Sequence, residues 1–261
     1  MSAPLTGRVA IVTGAARGLG KAIARALADD GAAVAVADID APAAEATAEE
    51  LRLKGAQAVA YEHDVRSERS SQELAGTVLS DLGRVDVLVN NAGVGPNPAP
   101  FQNLTELEWD RVMDINAKGV FLTTKAVAPT MIAQRSGRII HISSVVAKRA
   151  SPNILPYAAS KWAVVGMTQT MARELAQFDV TVNAVCPGVI RTELHEGVVS
   201  RMSAMTGKDQ DDVWQTFYDR IALGRLQEPE DIAAMVTFLA SDKGRNITGS
   251  AFNVNGGMEF N

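Results

Sequence analysis

The chain has one cysteine, three histidines and few aromatic side chains, 5% of its 261 residues. A lone thiol, Cys186, cannot close an internal disulfide, so nothing here asks for an oxidising compartment, and the cytoplasm is expected. His63, His141 and His195 stand in separate segments, which gives no ligand cluster for a metal. No apolar run approaches the ~18 residues of a membrane span. Residues 1–7 lack the basic-then-apolar order of a signal peptide. There is no basic excess either: the net charge is −5 and the pI near 5.3. A nucleic-acid partner, which needs a basic footprint, is therefore not expected. Repeats, low-complexity tracts and linkers are also missing. What is present is 47% hydrophobic residues in a length that suits one α/β domain, since such folds run to ~250 residues without splitting.

The order of segments is strand, turn, helix, repeated. Residues 8–13 are an apolar run that breaks at Gly14-x-x-x-Gly18-x-Gly20, and an amphipathic helical stretch follows to residue 30. A helix that starts in a glycine turn after a strand points free N–H groups at a pyrophosphate. Residues 32–37 read as a second buried strand ending at Asp38. A carboxylate there suits the adenosine ribose hydroxyls and repels a 2′-phosphate, which favours NAD over NADP. Arg17 pulls weakly the other way. Further strands are expected at 57–62, 85–90, 138–144, 180–185 and 251–255. Helices are expected at 42–54, up to 82, at 116–134 with a bend at Pro129, at 157–176 and at 229–240. Thr105-x-x-Glu108 has the form of a capping box. Asp64 suits either an adenine-edge contact or a helix N-cap. Asn90 and Asn91, at a strand's end, can lock neighbouring strands together. Residues 190–224 lose strand character, are long for a connector, and are expected to form a substrate lid. Within it Glu193 and His195 could bind hydroxyls, whereas Met202, Met205 and Trp214 could line an apolar pocket. Alternating βα units demand a single Rossmann-like domain over 1–261, a doubly wound parallel α/β sheet with helices on both faces. Ligands then bind at the strands' carboxyl ends, where Gly14, Asp38, Asn90, Ser144 and Pro187 all fall.

The chemistry centres on Tyr157-x-x-x-Lys161. Positions i and i+4 share a helix face, so the ammonium can lie one turn from the phenol. For Tyr157 to act as a base near pH 7 its pKa must fall from ~10 to about 7, a demand of about 4 kcal/mol. A unit charge at ~4 Å in an effective dielectric of ~20 supplies about that much. Ser144 can hold the substrate oxygen while the tyrosine takes or returns its proton. Asn116, inside a kinked helix, could hold a water near Lys161.

On Thr13-Gly14-x-x-x-Gly18-x-Gly20, Asn90-Asn91-Ala92-Gly93, Asn116, Ser144, Tyr157-x-x-x-Lys161 and Pro187-Gly188 with Thr192, the chain resembles the short-chain dehydrogenase/reductase family over essentially its whole length. The resemblance implies about seven parallel strands and a catalytic set of Asn116, Ser144, Tyr157 and Lys161. It implies dinucleotide contacts at Gly14, Arg17, Gly18, Leu19 and Gly20 in the first turn, and at Asp38 and Ile39 after the second strand. Asp64 and Val65, then Asn91, Ala92 and Gly93, would follow. Tyr157 and Lys161, with Pro187, Gly188, Ile190 and Thr192, would complete the set. It also implies a homotetramer paired through the helices at 116–134 and 157–176. Asn255, where an aspartate is common, is a departure away from the catalytic positions. Within the family, Leu223-Gly-Arg-Leu-x-x-Pro229-Glu-Asp231-Ile and the Gly-Gly-Met ending resemble polyol, acetoin/butanediol and sugar-alcohol dehydrogenases. The leading expectation is thus an NAD(H)-dependent dehydrogenase of secondary alcohols. An NADPH-dependent 3-oxoacyl thioester reductase is the alternative, with a non-catalytic dinucleotide-binding protein behind it.

Overall fold

The computed structural model describes residues 3–260, apart from the side chains at 193 and 194. Among these residues seven strands form one parallel sheet: β1 (Val9–Thr13), β2 (Ala33–Asp38), β3 (Ala58–Glu62), β4 (Val87–Asn90), β5 (Gly137–Ile142), β6 (Val180–Pro187) and β7 (Ala251–Val254). Their order is β3-β2-β1-β4-β5-β6-β7. The chain steps outward from β1 to β3, returns, and steps outward again from β4 to β7. The reversal between β1 and β4 opens a crevice at the strands' carboxyl ends.

The strands carry no polar alternation because both faces of the sheet are covered. In β1, Ala10 and Val12 face one core cluster while Val9 and Ile11 face the other. The first cluster is closed by α1 (Gly18–Asp29), α2 (Ala41–Leu53) and α9 (Pro229–Ala240), through Ile23, Leu27, Leu51, Ile232 and Leu239. The second is closed by α3 (Glu68–Leu82), α5 (Gly119–Gln134) and α6 (Leu155–Leu175), through Leu74, Val78, Met131 and Leu175. Each such side chain contributes about 1.5–3 kcal/mol on full burial.

Three local expectations need correction. The Thr105 hydroxyl does cap α4 (Glu106–Met113) by accepting the Glu108 N–H, but Glu108 does not return the bond. Its carboxylate instead accepts from the backbone and side-chain N–H groups of Asn97, at 2.9 and 2.8 Å, and from Arg111. Burial pushes the Glu108 carboxyl up, but the bonds from Arg111 and Asn97 outweigh it and hold the group below its ordinary pKa. Glu108 thereby fastens the proline-rich loop 95–100 to the helix. A reciprocal capping box does exist at α9, between Glu228 and Asp231. Second, the helix expected from 116 begins earlier: α4 runs into α5 through a π-turn, Asp114–Lys118, with Asn116 at its centre. Pro129 lies inside α5. Third, residues 190–224 are not an open loop. They hold α7 (Glu193–Thr206) and α8 (Gln210–Tyr218), and Trp214 and Phe217 pack on Val145, Val189, Ile221 and Met258.

Candidate active site

A cleft of about 740 Å³ lies along the carboxyl ends of the strands. All the expected dinucleotide contacts border it, from Gly14 to Thr192, together with Ser144, Tyr157 and Lys161. Asn116 does not border it.

The first turn explains how a dinucleotide fits. Arg17, the residue before α1, provides no side-chain cap, and no acidic side chain occupies the first turn. The helix therefore presents its leading N–H groups to the cleft. Gly18 sits at φ +54° with open space where a Cβ would project, and that space belongs to the cleft. Gly20 is required by close approach, since a Cβ there would stand 2.0 Å from the Gly14 carbonyl oxygen. The floor is held by the buried Thr13, whose hydroxyl accepts the N–H groups of Asn91 and Ala92 at 3.1 Å each. The Asn91 amide donates back to the Thr13 and Gly14 carbonyls at 3.0 Å. Asn90 donates to Thr124 and His141. The paired asparagines thus lock β4 to its neighbours. At the ribose end, the Asp38 carboxylate accepts the Ala16 N–H at 3.0 Å and the Asp40 N–H at 3.1 Å. Arg17 is turned to Asp40, 2.6 Å away, an exposed pair. Asp64 is not a helix cap; Ser67 caps α3, and Asp64 pairs with Arg66 at 2.7 Å. Asp40 and Arg66 were not singled out by the sequence, because a lone charge beside a turn carries no pattern.

At the reacting end, α6 places Tyr157 and Lys161 one turn apart, both inside the cleft. Lys161 is buried and its Nζ donates to the Ile142 carbonyl at 2.9 Å, while lying 5.6 Å from the centre of the Tyr157 ring. Ser143, which the sequence reading passed over for its neighbour, donates to the Lys161 carbonyl at 2.9 Å and fixes α6 on β5. The expectation that Lys161 lowers the tyrosine's pKa is not met. The ammonium faces the ring and a carbonyl, so burial dominates and raises Tyr157, with the Ser144 hydroxyl pulling it down. Burial also lowers Lys161 to about 8. The tyrosine is thus a neutral phenol around pH 7, suited to giving a proton. Asn116 lies in the π-turn, outside the lining of the cleft. Its amide is occupied by Val94, accepting the N–H at 2.8 Å and donating to the carbonyl at 3.0 Å, and by Ser160. The side chain braces the 93–94 backbone beside Lys161.

A second cavity of about 360 Å³ opens beyond Tyr157, lined by apolar groups such as Pro96, Val145, Val189, Val198, Met202 and Phe217. Met205 also borders it, and Trp214 packs behind it. Arg149 and Arg220 border it as well, both facing Glu259. Of the two polar lid candidates, His195 borders both cavities, and Glu193 lies outside the described side chains.

A family model described as enoyl-(acyl carrier protein) reductase matches residues 14–259. The 3-oxoacyl-[acyl-carrier-protein] reductase FabG of Staphylococcus epidermidis is 43% identical over 250 residues, 95% of this chain and 98% of its own length. The protein of that name from Thermotoga maritima is 39% identical over 254 residues, 97% of this chain and 98% of its own. The 3-oxoacyl-[acyl-carrier-protein] reductase of Synechocystis is 41% identical over 256 residues, with the same coverage. These relatives overturn the expectation of a polyol, acetoin/butanediol or sugar-alcohol dehydrogenase. The 223–232 segment, on which it partly rested, leads into α9, and of the Gly-Gly-Met ending Met258 lines the second cavity, where it adds one more apolar group.

Proposed function

The chain belongs to the short-chain dehydrogenase/reductase family, and on that premise we propose that it reduces the 3-oxo group of an acyl thioester to a hydroxyl. The observation that carries this is the second cavity: an apolar pocket that meets the dinucleotide cleft at Ser144 and Tyr157. An acyl chain fits the Val, Met, Pro and Phe side chains that make up most of the pocket wall, with Arg149, Arg220 and His195 as polar groups at its border.

The family binds a nicotinamide dinucleotide, which when bound supplies the hydride. The α1 N-terminus would hold its pyrophosphate, Asp38 its adenosine ribose, and Lys161 its nicotinamide ribose. The 3-oxo oxygen sits between Ser144 and Tyr157. Ser144 donates a hydrogen bond that stabilises the negative charge developing there, and Tyr157 gives its proton to the same oxygen. Tyr157 keeps its proton near pH 7, the protonation state that reduction needs. Thr192 borders the nicotinamide end of the cleft. We assign the preference to NAD(H), because the Asp38 carboxylate is fixed by two N–H groups at the ribose end and Arg17 is paired with Asp40. The proposed compartment is the cytoplasm, supported by the single, buried Cys186. The segment 190–224 is proposed as the lid over the acyl pocket.

Initial rates should be measured for a 3-oxoacyl thioester and for a panel of polyols and vicinal diols, each with NAD(H) and NADP(H). The thioester should be the preferred substrate. NADH should exceed NADPH by about 10²-fold in kcat/KM, given several kcal/mol of like-charge cost, and Asp38→Ala should narrow the gap. Polyol turnover exceeding that of the thioester would contradict the substrate class, and an NADPH preference would contradict the role of Asp38.

A further inference from the structure

Among the described residues, four border both cavities: Ser144, Tyr157, Gly188 and His195. The first two hold the reacting oxygen in the proposed reaction, and Gly188 has no side chain to offer. His195, in the first turn of α7, is the fourth. Among the described residues neither of its ring nitrogens has a hydrogen-bond partner. Nδ1 is sealed from solvent, whereas Nε2 is not among the sealed atoms. A buried polar nitrogen without a partner costs about 1–3 kcal/mol, so a native fold keeps one for a reason. The proton is better placed on Nε2, which is not sealed, than on Nδ1, which no described group accepts from. Burial also holds the ring neutral, at a pKa of about 4, so it does not become a cation near pH 7. The site therefore offers a single neutral N–H donor at the junction of the two cavities.

A 3-oxoacyl thioester carries a second oxygen, the C1 carbonyl, two carbons from the one that Ser144 and Tyr157 hold. Resting on the reading above, we propose that His195 Nε2–H donates to that C1 oxygen, and so selects 3-oxoacyl thioesters over simple ketones of the same size. A neutral donor suits the purpose: a thioester carbonyl is uncharged, and a buried cation would favour free carboxylates instead. His195 is thus a substrate-contact residue for recognition, with no proton to transfer.

The test compares wild type, His195→Leu and His195→Gln on a 3-oxoacyl thioester and on an aliphatic ketone without the C1 carbonyl. Binding of the 3-hydroxyacyl thioester to the dinucleotide-saturated protein is measured by calorimetry beside it. His195→Leu should raise KM and the dissociation constant for the thioester by about 10-fold, the loss of one good hydrogen bond, and leave the ketone within about 2-fold. His195→Gln, which keeps an N–H donor, should recover most of the loss. Equal losses on thioester and ketone, or no change in either binding or KM, would overturn the assignment. A wild type that turns over no thioester would instead fail the substrate reading itself, and would take the His195 assignment with it.

Discussion

A phenol beside an amine can act as acid or base, and the surroundings of Tyr157 keep it protonated near pH 7. Lys161 spends its Nζ on the Ile142 carbonyl and lies over the ring, so it does not offset the desolvation that raises the phenol. The motif Tyr157-x-x-x-Lys161 was legible as a pair, but the sign of its effect was not. Spacing gives a shared helix face; it does not say which atom the ammonium meets. The consequence for pH follows from Lys161. Burial disfavours its charged form and lowers its pKa to about 8, so the ammonium is present below that value and lost above it. If the charge holds the dinucleotide ribose, kcat/KM for thioester reduction should be level from pH 6 to 7.5 and fall as pH rises through about 8. A rate that climbs steadily to pH 10 would exclude this role.

At the scale of elements, the strands and the glycine turn could be read from the sequence because local chemistry dictates them. Buried strands must be apolar on both faces, and Gly20 cannot be replaced where a Cβ would meet the Gly14 oxygen. The π-turn at Asp114–Lys118 could not be read, since one extra residue in a helical turn leaves no compositional trace. Nor could the turning of Glu108 to the 95–100 loop, which depends on a neighbour distant in the chain. The joint between β1 and β4 is the most exposed to a single change. Thr13→Val keeps the shape but leaves the Asn91 and Ala92 N–H groups without their acceptor. It should cost about 1–3 kcal/mol of stability, read as a lower denaturant midpoint, and weaken dinucleotide binding. An unchanged midpoint would show that the hydroxyl is not holding the crevice floor.

For the whole molecule, the parallel sheet was legible, whereas its strand order and the substrate were not. The second cavity is assembled from the 95–100 loop, the segment after β5 and α7–α8, and apart from Ser144, Tyr157 and Gly188 its lining carries no motif. Trp109, Phe121, Leu155 and Trp162 on α4, α5 and α6 stand 40–50% exposed, and Phe238 and Phe260 are exposed as well. We propose that these are two isologous interfaces, which build a homotetramer. Light scattering at micromolar concentration should give four chains, and Phe121→Glu with Trp162→Glu should reduce the mass; a monomeric wild type would contradict it. The most direct test of the account remains the proton donor. Wild type and Tyr157→Phe should be compared for turnover of a 3-oxoacyl thioester, with dinucleotide affinity measured in parallel. Loss of the hydroxyl should lower kcat by about 10²-fold or more with dinucleotide affinity within about 3-fold, whereas near-normal turnover in Tyr157→Phe would show that the proton comes from elsewhere.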